Sequence, residues 1–102
     1  MHRYTTPTIP ITISDVDFSA VDRFRVAIER GNNSLLFEIP ADDARVDAQN
    51  KTINVELTQE QTAQFAEGYV LVQARIKYQN GNVQATDITR LSVADVLDEV
   101  II

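Results

Sequence analysis

The strictest alternation in the chain is Val70-Leu71-Val72-Gln73-Ala74-Arg75-Ile76-Lys77-Tyr78. Its even-numbered side chains are mostly apolar and the intervening ones mostly polar, which is the period of a β-strand with one buried face. Asn80-Gly81 follows directly and is the preferred dipeptide of a type I′ hairpin. We therefore predict a returning strand over residues 83–93. Its alternation breaks at Thr86-Asp87-Ile88, where a bulge or bend is expected.

A short helical turn is predicted just before this strand, near residues 58–66. Thr58 and Gln61 have the spacing of a capping box, in which each side chain accepts a hydrogen bond from one of the free backbone N–H groups of the turn. Gly68 supplies a flexible stop before the next strand. The rest of the chain carries strand patterns, so this turn connects two strands of an all-β protein.

Four earlier segments also alternate with period two, and we predict a strand in each: residues 9–13, 23–29, 35–39 and 53–57. Pro10 has no N–H to donate, so the first strand should lie at a sheet edge. Six to seven short strands with turns every 8–12 residues indicate an immunoglobulin-like two-sheet β-sandwich. A small barrel is the competing architecture.

The same alternation predicts which side chains form the core, because each strand can bury only one phase of its residues. The predicted core is Phe24, Val26, Ile28, Phe37, Ile39, Ile53, Val55, Val70, Val72, Ala74 and Ile76.

Composition limits the possible functions. The 102 residues form one predicted domain, 1–102, in which 1–7 would be a flexible tail and 94–102 an interface arm. The net charge of −6 disfavours binding to nucleic acid or to an anionic membrane, since both need a basic surface. There is no cysteine, so disulfides and thiolate chemistry are excluded. No leader-like apolar segment is visible at Met1, which predicts synthesis in a cytoplasm.

The residues that could carry chemistry are few, and we assign no catalytic, metal-binding or cofactor-binding residue. His2 is the only histidine, and a general base or metal ligand needs partners held around it. Two acidic clusters, Asp15/Asp17/Asp22 and Asp42/Asp43/Asp47, could offer oxygens to Ca²⁺. Neither has the spacing of a dedicated calcium loop, so solvated carboxylates are the preferred interpretation. We expect a protein that is not an enzyme.

Two features indicate a macromolecular partner, which would be this chain itself or another protein. The first is a basic stripe of Arg23, Arg25, Arg75 and Lys77, which forms only if their two strands pair; pairing of these cations with Glu29 and Glu38 is the alternative. The second is the C-terminal arm, whose large apolar side chains would each gain about 1.5–3 kcal/mol from burial. The arm residues expected at an interface are Val93, Val96, Leu97, Val100, Ile101 and Ile102.

Several segments together resemble a known family. They include Thr6-Pro7-Thr8-Ile9-Pro10, Ala85-Thr86-Asp87-Ile88 and Ser92-Val93-Ala94-Asp95-Val96-Leu97. The most specific pieces are Leu-Thr-Gln-Glu-Gln-Thr at 57–62 and Val-Gln-Ala-Arg-Ile at 72–76. In this order they resemble small virion-structure proteins of tailed phages and prophages of Gram-positive bacteria. The chain is also similar to the N-terminal β-sandwich module of upper-baseplate proteins in lactococcal-type phages.

The resemblance implies a non-enzymatic building block of a phage or prophage particle, in its tail or baseplate region. Such a subunit would be made in the host cytoplasm, be located in the virion, and act as a homo-oligomer or by docking on another virion protein. The resemblance supplies no catalytic residue and no cofactor. The alternative is a free-standing bacterial module that binds protein or carbohydrate.

Overall fold

Two antiparallel sheets packed face to face make up the protein, as seen in a computed structural model that describes all residues from Met1 to Ile102. The smaller sheet has the strand order β1-β5-β4, and the larger has β3-β2-β6 with β7 and β8 both paired to the far side of β6. The strands are β1 (Thr8–Thr12), β2 (Val21–Arg30), β3 (Asn33–Pro40), β4 (Val46–Asp47), β5 (Thr52–Glu56), β6 (Gly68–Tyr78), β7 (Val83–Ala85) and β8 (Thr89–Val93). The predicted all-β sandwich is confirmed.

The strand order is that of an immunoglobulin-like sandwich. Strands β4, β5 and β1 take the places of D, E and B, while β3, β2, β6 and β7/β8 take those of C′, C, F and G. Strand β1 is therefore an edge strand, as Pro10 predicted, and no strand occupies the position of A beside it. A three-residue 3₁₀ turn, Phe18–Ala20, leads from the smaller sheet into β2.

The core lies between the sheets and contains nearly all of the predicted side chains. Ten of the eleven are buried, and Phe37 is only half-buried because β3 is the outer strand of its sheet. Eight further residues, most of them in connections or at strand ends, are buried although the predicted core did not include them: Ile9, Ile13, Val16, Val21, Leu57, Thr62, Phe65 and Val93.

The hairpin after β6 differs from the prediction. Gly81 has a φ of +91°, but Asn80 lies outside the left-handed region, so the type I′ assignment is wrong. Gly81 N donates to Tyr78 O at 2.9 Å, and Asn80 Oδ1 accepts from Asn82 N at 2.9 Å. The result is an ordinary β-turn followed by a glycine in the left-handed region, as in three-residue hairpin loops.

The predicted interruption of the returning strand is confirmed, since residues 86–88 separate β7 from β8. At this point Thr86 N donates to Ala74 O at 2.9 Å, and Thr86 Oγ1 accepts from Ala74 N at 3.0 Å. A side-chain oxygen thus takes the place of a backbone acceptor, and the strand bends without leaving the Ala74 N–H unpaired.

The predicted helical turn is also confirmed, as α1 (Gln59–Ala63). Thr58 Oγ1 accepts from Gln61 N at 3.2 Å, and Gln61 Oε1 accepts from Thr58 N at 2.8 Å, which completes the capping box. Five residues make about one and a half turns. α1 is the only α-helix, and its length is far short of a membrane-spanning helix.

Residues 1–7, predicted as a flexible tail, are hydrogen-bonded to two distant parts of the fold. Arg3 N donates to Ala94 O, and Ala94 N donates to Met1 O, which places the segment beside the end of β8. Thr5 N and Thr5 O both bond to the Thr62 hydroxyl on α1. These partners are more than fifty residues away along the chain, so no local pattern could have indicated them.

Candidate interaction surfaces

The four cations of the basic stripe lie together on the outer face of the larger sheet. Strands β2 and β6 pair, and their register sets Arg23 opposite Lys77 and Arg25 opposite Arg75. All four residues are exposed. Sequence reasoning proposed the stripe only on the condition that these strands pair, and they do.

Two of the four cations have carboxylate partners. Arg25 Nη1 lies 3.3 Å from Glu38 Oε1, and Arg23 Nε lies 3.7 Å from Asp22 Oδ2. Glu29, the other carboxylate weighed as a partner, stands opposite Ser34 and Leu71 instead.

Arg75 and Lys77 have no ion pair, so the stripe keeps an excess of positive charge in a protein of net charge −6. A shallow cavity of about 150 Å³ lies among these side chains and Glu38, and Val83 is its one apolar lining residue.

The C-terminal arm, residues 94–102, runs back past α1 but leaves its apolar side chains in solvent. The Gln59 side chain bonds the backbone of Ile102 through both its amide oxygen, at 3.0 Å, and its amide nitrogen, at 2.8 Å. Leu97 and the Ile102 side chain are almost fully exposed, and Val100 is 55% exposed. The arm is therefore attached by polar contacts while most of its apolar surface is unused.

One residue predicted at the interface lies in the core instead. Val93 is 3% exposed, because it lies on the inner face of β8 opposite Gly68 and belongs to the core. Val96 is half-buried, and Ile101 is 42% exposed. The available apolar surface of the arm is thus confined to residues 97–102.

Arg3 joins the arm to the sandwich, and sequence reasoning missed it. Its guanidinium donates to the carbonyl oxygens of Phe65 (2.5 Å) and Ala63 (3.0 Å) at the end of α1. It also lies 2.9 Å from Asp95 Oδ1 and 3.1 Å from Glu99 Oε1. The hydrogen bond to Asp95 raises the pKa of Arg3, so this cation stays charged at every accessible pH.

The acidic clusters serve local structure. Arg45 binds both oxygens of Asp43 at 3.0 Å, and these bonds lower the pKa of the Asp43 carboxyl to about 2. The side chain and backbone N–H of Asn50 likewise lower the pKa of Asp47. Asp17 caps the 3₁₀ turn by accepting from Ser19 N at 3.1 Å. His2 is exposed beside Ala94, and no three His, Cys, Asp or Glu side chains come together in a group that could hold a metal ion.

A groove of about 520 Å³ opens between the edge of β1 and the edge of β7 and β8. It lies where a strand A would cover the sandwich, and Ile11, Val72 and Leu91 are among its apolar lining residues. Asp15, Asp87 and Arg90 are its charged lining residues. This volume is within the range of small-molecule pockets.

All three tyrosines make contacts within the protein. Two arginines contact the Tyr69 ring: the guanidinium carbons of Arg30 and Arg90 are 4.8 and 4.3 Å from its centre. Tyr78 is half-buried and donates its hydroxyl to Gln84 at 2.8 Å, and Tyr4 lies under Arg3. Two of the three rings therefore already contact an arginine guanidinium, which competes with stacking on a sugar ring.

Comparison of the chain with models of known protein families, with curated proteins and with solved structures found no match.

Proposed function

We propose that this chain is a non-enzymatic structural subunit of a phage or prophage particle, in the tail or baseplate region, that acts by self-association. The assignment to a virion rests on the order of sequence segments described above. The assignment to assembly rests on one observation: Leu97, Val100 and Ile102 form an exposed apolar surface on an arm that is already attached to the sandwich.

The arm suits assembly because its attachment limits the entropy lost on binding. Gln59 and Arg3 hold both ends of it with polar contacts, so less conformational freedom remains to be lost when a neighbour covers the apolar side chains. An isolated apolar residue on a surface is ordinary, whereas a run of them indicates a contact site.

The groove between the sheet edges favours a second candidate function, a bacterial module that binds a ligand or an extended peptide. Its volume of about 520 Å³ would accommodate either. Sugar binding is the weaker form of this candidate, since no aromatic side chain lines the groove.

Deletion of residues 98–102, followed by measurement of mass in solution by light scattering, tests the proposal. The full chain should exceed its monomer mass of 11.4 kDa, and the truncated chain should be a folded monomer of nearly unchanged melting temperature. An unchanged oligomer with reduced stability would mean that the arm serves only its own sandwich. Genes for capsid, portal or tail proteins beside this one would support the assignment to a virion, and their absence would favour the second candidate.

A further inference from the structure

We propose that the arm of one copy docks on the basic stripe of the next, so that the protein assembles head to tail. This inference rests on the proposed self-association and names the surface that receives the arm. It makes the contact heterologous: each copy offers an arm at one end and a stripe at the other.

Charge complementarity is the first support. The arm carries Asp95, Asp98 and Glu99, and Arg3 neutralises only the first and last of them in its own chain. Asp98 has no cation within its own sandwich, just as Arg75 and Lys77 have no carboxylate. A carboxylate placed between those two cations would relieve the repulsion that their crowding creates.

Apolar complementarity is the second support for docking of the arm on the stripe. Leu97, next to Asp98, is fully exposed, and the cavity of about 150 Å³ within the stripe has Val83 on its wall. The aliphatic stems of Arg and Lys side chains offer apolar surface while their charged groups stay in water. The stripe can therefore receive Leu97 among its stems and Asp98 at its charged groups, which matches the order of these two residues in the arm.

The positions of the two surfaces decide between a contact within one chain and a contact between copies. The arm leaves β8 at Val93, opposite Gly68, the first residue of β6. Lys77 is nine residues further along β6, a distance of about 30 Å at 3.3 Å per residue. The bonds from Gln59 to Ile102 hold the arm at the end of the molecule away from the stripe, and the longest dimension of the protein is 47 Å. In this arrangement the arm of a chain meets the stripe of a neighbour.

A heterologous contact repeats from copy to copy. It closes into a ring if the rotation between neighbours divides a full turn, and otherwise it extends as a filament. An arm that met a second arm would instead give an isologous dimer and stop there.

Two variants, each lacking one half of the contact, test the inference by size-exclusion chromatography with light scattering. The arm variant carries Leu97→Ser and Asp98→Ser, two exposed side chains with no hydrogen bond or ion pair in the fold. The stripe variant carries Arg75→Glu, which removes no existing ion pair and reverses one charge of the stripe. Its control, Lys51→Glu, has the same net charge and places the change at an exposed position outside the larger sheet. Melting temperatures establish that all of them fold.

We expect each variant alone to be a monomer, the control to assemble like the unaltered chain, and added salt to weaken assembly. Mixed in equal amounts, the two variants should form a 1:1 dimer of twice 11.4 kDa and grow no further, because only one intact arm–stripe pair remains. If the stripe variant alone assembles normally, or the mixture stays monomeric, the inference is wrong while self-association stands. If the unaltered chain is itself a monomer at all concentrations, the inference and the proposed self-association both fail.

Discussion

Replacing Thr62 with valine removes a single hydroxyl and leaves the shape of the side chain almost unchanged. Thr62 is fully buried, and its Oγ1 accepts from Thr5 N at 3.1 Å while lying 2.9 Å from Thr5 O and 3.2 Å from Gln59 O. A hydroxyl has one proton, and we assign it to the nearer acceptor, Thr5 O. Thr62→Val therefore removes both hydrogen bonds between Thr5 and α1 without creating a cavity, while Arg3 stays bound to the carbonyl oxygens of Ala63 and Phe65.

The expected cost follows from the two Thr5 groups that lose their partner. A buried polar group left unsatisfied costs about 1–3 kcal/mol, and Thr5 is half-buried, so water can replace part of the loss. We expect a total loss of about 1–2 kcal/mol in the free energy of unfolding. For a domain of this size that lowers the melting temperature by roughly 5–15 °C.

Thermal melting and amide hydrogen exchange measure the effect, with Thr62→Ser as the matched control. Serine keeps the hydroxyl and loses only a methyl group, which costs about 1 kcal/mol through packing. Thr62→Val should abolish the exchange protection of the Thr5 amide, and Thr62→Ser should retain it. A valine variant that melts like the unaltered protein, with the Thr5 amide still protected, would refute this reasoning. Fast exchange at Thr5 already in the unaltered protein would instead support the flexible tail predicted from sequence.

Three further predictions concern the core, the cap and one carboxyl group. Val72→Asp should cost about 3 kcal/mol or more by burying an unpaired charge in the core, and an unchanged cooperative melting transition would contradict the strand phase. Thr58→Ala should cost about 0.5–2 kcal/mol through the lost N-cap bond, as measured by denaturant unfolding, without altering association. By NMR titration the pKa of Asp43 should be about 2 and should return towards 3.8 in Arg45→Gln. Folding lowers the pKa of Asp43, so the ionised carboxylate contributes to stability fully above pH 3.8, and this contribution is lost as the pH falls towards 2. A titration midpoint near 3.8 in the unaltered protein would show that Arg45 does not bind Asp43.

Local features of the chain could be predicted because their causes lie within a few residues of each other. Period-two alternation selected the buried phase of the long strands, and ten of the eleven predicted core residues are buried. The capping box joins residues only three positions apart. Pro10 predicts an edge strand by itself, because a proline has no N–H to donate to a second neighbouring strand. The break between β7 and β8 was visible because it interrupts the alternation itself.

Alternation shows which face of a strand is buried but not which strand pairs with it. Most errors of the sequence predictions have this origin. The stripe required β2 to lie beside β6, although their paired residues are 42 to 57 positions apart. The two-residue strand β4 was too short to show any period. The type I′ prediction for Asn80-Gly81 was wrong because the dipeptide permits that turn without requiring it. The hydrogen bond from Asn82 N to Asn80 Oδ1 stabilises a different turn, in which only Gly81 has a positive φ.

What the sequence by itself determined is the all-β character, the phase of each long strand and the capped turn, since backbone sterics and nearby hydrogen bonds set them. Tertiary structure alone placed Val93 in the core, gathered four cations on one face and brought Arg3 to the end of α1. Arg3 contacts residues 60 to 96 positions away. The residues next to Arg3 in the sequence give no pattern from which these contacts could be predicted. Such contacts form only when the folded sheets bring distant segments together, because their energy depends on separation in space rather than along the chain.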